Sequence, residues 1–360
     1  MTAAPDPGLT SERHVPSEAP TAPLAPPVRP DHVPTPAHRE PPRSRRLLRL
    51  ALLGAGIFFL VVGVLLPLYV YPRVATLPAD PQTEQILKGT GATVLMPDAD
   101  APAGATVLTG VAVTVTNFVA AAPGVESDGD GAVWDIATQV NVDGRGMLQS
   151  RVERISIDRR SVESTNCCGD RLVTNQEEPD GAEIRHEGYY TFPFDTQKQS
   201  YQTWDVNAER AVTTEYIGES TKDGIDVYTF RRVVPLQKVG TRELPGGLFG
   251  STEPNVDAEA WYAGTRTYWI EPNSGDVIGL REEITQQYTA NGQTVTAFEA
   301  KMDSVRNSDD RLDQARQAAT FLPWLRGRAS VVLVLLGVIL IVAAALVGRP
   351  LRFGRRTSAH

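Results

Sequence analysis

The chain has 360 residues, 41% of them hydrophobic and 22% charged, and a net charge of −8 at neutral pH. That length gives room for one or two ordinary domains with a substantial core. Residues 1–49 carry +2 and the tail after Val347 carries +4, so the middle holds −14; such an acidic body disfavours anionic headgroups over a broad surface, and no nucleic acid is expected as a partner.

Residues 1–49 hold 12 of the 27 prolines and no long apolar run. Such a segment buries too little surface to offset chain entropy, and it reads as a disordered, Pro-rich cytoplasmic tail. Residues 50–70 follow as 21 residues without a charge. As a helix they measure about 31 Å, enough to cross a hydrocarbon core of about 30 Å. A cleaved signal peptide is the rival reading. It fails because the apolar stretch is long, starts late and is followed by no A-x-A site. Pro67 marks a kink or exit, which a membrane helix tolerates.

Residues 71–328 read as a β-rich domain outside the cytoplasm. Asp128-Gly129-Asp130-Gly131 begins like a calcium loop, but Gln139 stands where the bidentate Glu is needed, so a plain loop and no metal are expected. Trp134, Ile136, Thr138, Val140 and Val142 share one face of a strand, and Asp143-Gly144 is a turn signal after it. Cys167 and Cys168 are adjacent and are the only cysteines. Outside the cytoplasm they pair with each other or with another chain. Adjacent Cα atoms lie about 3.8 Å apart, below the usual disulfide range, so a vicinal bridge would hold a tight turn beside Gly169. A redox switch is the second account. Metal binding fits poorly, because neighbouring residues lack ligand spacing.

His186 is the only histidine outside the tails, and a lone histidine in a turn-rich stretch is expected to be solvated. No G-x-S-x-G elbow accompanies it. The aromatic run Tyr189, Tyr190, Phe192, Phe194, Tyr201 and Trp204 has two accounts. Core packing is the default; a rim that grips a ligand or the membrane surface would use Phe192, Phe194, Tyr201 and Trp204. Glu215–Val234 reads as a hairpin turning at Lys222-Asp223-Gly224, and Thr265–Phe298 as a three-stranded meander turning at Asn273-Ser274-Gly275 and Asn291-Gly292. In residues 225–234, Ile225 and Val227 point one way while Tyr228 and Phe230 point the other. A sandwich, a helix-covered sheet or an apolar cavity would each explain that. One soluble helix is expected, capped by Ser308, favoured by Asp309 and Asp310 at its N-terminus, and ending near Leu322 before Pro323.

Residues 329–347 form a second uncharged apolar stretch, of 19 residues, and residues 348–360 a basic tail. Arg43, Arg45, Arg46 and Arg49 precede the first span, with only Arg73 just after it. The positive-inside rule then puts both termini in the cytoplasm. The expected fold class is a membrane-anchored, mostly β protein: an antiparallel sheet, partly closed barrel or sandwich between two transmembrane helices.

Five segments together carry a family likeness. They are Leu65-Leu66-Pro67-Leu68-Tyr69-Val70-Tyr71-Pro72-Arg73, Val133-Trp134-Asp135, Asn166-Cys167-Cys168-Gly169, Phe192-Pro193-Phe194-Asp195 with Tyr201 and Trp204-Asp205, and Thr267-Tyr268-Trp269-Ile270-Glu271-Pro272 through Gly275. Over about residues 45–345 the chain resembles the actinobacterial porin-PorA-type family. The resemblance implies a cell-envelope protein with two spans, and it supplies no catalytic residues. The physics sets limits on a porin reading, since a β-barrel porin has lipid-facing strands with aromatic girdles and no stop-transfer helices.

The functional expectation is a non-enzymatic protein of the plasma membrane, without cofactor, whose outer domain binds or moves an apolar or lipid envelope component. A pore of oligomerised helices, which makes a homo-oligomer a partner, is the alternative, followed by a sensing module that docks a cell-wall partner. An enzyme ranks last, because no positioned acid/base set stands out.

Overall fold

The computed structural model describes residues 43–174 and 180–347. Most of the expected N-terminal tail and all of the C-terminal one lie outside the described residues. Two long helices, α1 (Arg43–Val74) and α2 (Asp309–Val347), bracket twelve strands. These are β1 (Thr83–Pro97), β2 (Ala105–Ala121), β3 (Gly131–Val142), β4 (Gly146–Asp158), β5 (Arg171–Val173), β6 (Ala182–Glu183), β7 (Tyr201–Asp205), β8 (Arg210–Lys222), β9 (Ile225–Pro245), β10 (Asn255–Ile270), β11 (Val277–Ala290) and β12 (Gln293–Ser304).

All twelve join one antiparallel sheet, in the order β6-β5-β4-β3-β2-β1-β12-β11-β10-β9-β8-β7. Strands adjacent in sequence pair, except β6 and β7, which form the two edges of the sheet; β1 also pairs with β12 and so unites two meanders. Local turn chemistry sets the registers. Asp223-Gly224 and Asn291-Gly292 both place two consecutive residues at positive φ, the geometry of a two-residue hairpin whose twist matches its strands.

The sheet curls into a half-barrel, and its open side is stitched by single bridges. Ile157 at the end of β4 pairs with Ser164, Glu163 pairs with Tyr189, and Tyr189 pairs in parallel with Thr203 of β7. The described residues therefore hold one curled sheet and no second sheet packed on it, so the sandwich alternative gives way. The two-faced strand β9 has another cause. Ile225 and Val227 face outwards under Leu312 and Ala315 of α2, while Phe230 and Val234 are buried with the inner clusters. Leu87, Val113, Val142, Ile284, Phe298 and Met302 belong to one buried apolar cluster inside the curled sheet.

Both helices are long and apolar enough to cross a membrane, and they pack as an antiparallel pair. A Cβ added at Gly56 would lie 2.7 Å from Ile341 Cγ1 and 2.9 Å from the Gly337 carbonyl. The Ser330 hydroxyl donates to the Gly63 carbonyl at 2.6 Å. Small residues that let backbones approach, with a hydroxyl bonded across the seam, are the usual means of joining helices in lipid. Each helix also has a π-helical turn beside a proline, at Leu66–Val70 around Pro67 and at Trp324–Arg328 after Pro323. The helix capped by Ser308, whose hydroxyl accepts from Arg311 N, therefore does not end before Pro323. The wider turn absorbs the missing N–H, and α2 continues without a break to Val347.

Candidate functional site

The end of the barrel from which both helices depart encloses a cavity of about 280 Å³. Alternation along the strands sets its layers. Trp134, Ile136 and Thr138 of β3 point into it, as do Val119 and Asn117 of β2, Glu153 and Arg151 of β4, and Tyr268 and Arg266 of β10. Leu77, Pro78 and Pro81, from the linker between α1 and β1, complete the wall near the helices, together with Arg311 of the first turn of α2. The Trp134 indole donates to the Ala79 carbonyl at 3.0 Å and pins that linker as the rim. A second, smaller cavity of about 50 Å³ lies deeper and shares Asn117, Thr138, Arg151 and Arg266 with the first.

The lining is amphipathic rather than wholly apolar. Burial pushes the Tyr190 hydroxyl up, which keeps it neutral. Burial likewise raises Asp276, against the opposing pull of Arg311. Arg266 is ion-paired with Glu282. Although burial opposes ionisation of Asp205, Arg232 and Arg266 hold its carboxyl below the usual range; the Arg232 contact is 2.8 Å. A larger depression of about 610 Å³ lies on the outer surface around residues 195–199, Tyr228, Pro272 and Asn273. Open and floored by polar loop residues, it encloses nothing.

Beside the cavity a buried polar network crosses the stitched side. His186 Nδ1 meets Asp170 Oδ2 at 2.7 Å and Nε2 meets Glu153 Oε1 at 3.0 Å. The Trp204 indole donates to the same Glu153 oxygen at 2.7 Å, and the Ser156 hydroxyl donates to Asp170. Burial disfavours the imidazolium, but the hydrogen bonds and charges of Asp170 and Glu153 outweigh it and raise the histidine pKa. The sequence-based expectation of a solvated His186 is thereby corrected: it is 2% exposed, because two carboxylates hold it. The network resembles a catalytic triad in composition only. Both imidazole nitrogens are taken by carboxylates, and the serine bonds to Asp170 instead of to the base.

Cys167 and Cys168 are joined to each other. Asn166 and Gly169 flank the pair at positive φ, and the Asn166 side chain clamps the His186 backbone with bonds of 2.8 and 2.9 Å. Asp128 lies close to both sulfurs, but bridged sulfurs have no thiolate to offer a metal. Of the four residues expected to form a rim, only Trp204 lines the cavity, together with Tyr190 of the same aromatic run. Phe192 and Tyr201 are buried in a cluster with Phe230 and Ile270, where they pack in place of forming a rim, and Phe194 is half-buried. Sequence reading missed Arg151, Glu153 and Arg266. The signal was there in β4, where Arg151 and Glu153 share the alternating face that continues with the fully buried Ile155 and Ile157.

A curled β half-barrel with an internal cavity, carried on a pair of apolar helices, is the class of protein that fold and site define. The chain matches the family model described as Porin PorA over residues 48–346, and it belongs to that family. It is similar to a Porin PorA of Corynebacterium amycolatum, 22% identical over 251 residues that cover 54% of this chain and 65% of that protein. A Porin PorA of Corynebacterium resistens is 21% identical over 234 residues, covering 50% of this chain and 56% of that protein. The chain thus spans a little over half to about two thirds of these relatives.

Proposed function

We propose that this is a non-enzymatic envelope transport protein, anchored in the plasma membrane by α1 and α2, whose β domain receives an amphipathic envelope molecule outside the cytoplasm. One observation carries the reading: the cavity lies at the end of the barrel from which both helices leave, so its rim faces the lipid surface that α1 and α2 would enter. A volume of about 280 Å³ sits near the lower edge of small-molecule sites, roughly 300–1,000 Å³. It suits one headgroup and the start of one chain. Few large apolar side chains are exposed on the strands, Phe118, Ile217 and Val233 among them, so the helices and not the sheet are suited to lipid. Native mass spectrometry of the full chain purified from membranes tests the reading. The expected result is a bound amphiphile that survives detergent exchange; a bare polypeptide mass in every detergent would count against it.

The name of the relatives, Porin PorA, favours a second reading. If those proteins form pores, several copies of this helix pair would surround one here, because a single pair leaves no lumen. Planar-bilayer recording on a verified oligomer decides between the two.

A further inference from the structure

The lumen is organised in layers, and its charges are unequally matched. Thr138 of β3 lies four residues beyond Trp134, about 13 Å deeper at about 3.3 Å per residue, and Arg151 of β4 is its register partner. Arg151 Nη1 donates to Asn207 Oδ1 at 2.9 Å, while its buried Nε has no hydrogen-bond partner. The neighbouring carboxylates are already engaged. Glu282 holds Arg266, Asp205 holds Arg232, and Glu153, one layer nearer the rim, accepts from His186 and Trp204. Among the described residues no carboxylate is ion-paired with Arg151. A guanidinium whose buried N–H stays open is costly unless an acceptor meets that donor, and its planar fork matches a carboxylate or phosphate.

We infer that the cavity takes a single-chain anionic amphiphile, its headgroup inward on the Arg151 guanidinium and its chain outward past Leu77, Pro78 and Pro81. The inference rests on the transport reading above and adds charge selectivity and direction to it. The acidic exterior does not oppose it, because a lumen interaction is governed by the groups within a few ångströms.

The test uses the full chain in a neutral detergent at neutral pH, with dodecanoate and its methyl ester as matched probes and native mass spectrometry as the readout. Dodecanoate is expected to half-saturate at a concentration about tenfold below the ester, the scale of one hydrogen-bonded charge pair. R151Q should bring the two probes together, and R151K should keep most of the preference. N207D hands Arg151 a carboxylate of its own without removing the guanidinium, and should also reduce the preference. Equal binding of both probes by the wild type, or a preference retained by both R151Q and N207D, overturns the inference while leaving the transport reading in place. Displacement of dodecanoate by an equal concentration of acetate overturns it too, since the site would then be one for small soluble anions. A folded wild type that holds neither probe removes the transport reading itself.

Discussion

His186 shows how one buried side chain ties distant segments together. It joins Glu153 of β4 to Asp170, while Trp204 of β7 shares the same Glu153 oxygen. Removing one partner of such a buried set strands the others, at a cost of about 3–5 kcal/mol. H186A is therefore expected to lose that order of stability in chemical denaturation. The pH dependence has a definite sign. The folded pKa lies above the ordinary value of about 6.5, so the imidazolium stabilises the fold at and below that pH. This contribution is lost as pH rises through the raised folded value. Thermal unfolding of the wild type should show a melting temperature that declines across that window, and H186Q should flatten the decline. Neither the burial nor the partners of His186 were visible in the sequence. Asp170 and Glu153 lie 16 and 33 residues away, and nothing local marks a histidine as enclosed.

At the scale of elements, the parts governed by near neighbours could be read directly. The meander Thr265–Phe298, the hairpin at Asp223-Gly224 and the Ser308 cap all follow from turn and cap chemistry within a few residues, and the structure contains each of them. The continuation of α2 through Pro323 could not be read that way. Proline ordinarily closes a helix, and only the π-helical turn after it, beside the matching turn in α1, relieves the lost bond. Pairing of the helices was equally hidden, because Gly54, Gly56 and Gly63 look alike in a list of residues. They differ in space. A Cβ at Gly54 meets nothing within 4 Å, whereas one at Gly56 presses on Ile341 and the Gly337 carbonyl. G56L is expected to weaken the pair by about 1–3 kcal/mol, read as a drop in detergent-solubilised thermal stability, while G54L leaves it unchanged.

For the molecule as a whole, two apolar helices, both ending at one end of the barrel, and the arginines before the first of them set the arrangement we propose. With both termini inside, a membrane-impermeant maleimide should label Ser251→Cys in intact spheroplasts and should label Ser11→Cys only after lysis. The reverse pattern would invert the protein and leave the cavity facing the cytoplasm. The curled sheet was foreseeable from its turn signals and alternating strands. A partly closed barrel was among the expected forms, but the contacts that stitch it were not foreseeable, because they are single bridges between segments distant in the chain.

The unbroken α2 has a mechanical consequence. Its 39 residues make a shaft of about 58 Å, with one half suited to lipid and the other resting on β9 and β11 through Leu312 and Ala315. Arg311, at the tip of that shaft, belongs to the cavity wall. In the membrane arrangement we propose, an axial shift of the greasy half, as when bilayer thickness changes, would be delivered as a thrust at the cavity mouth.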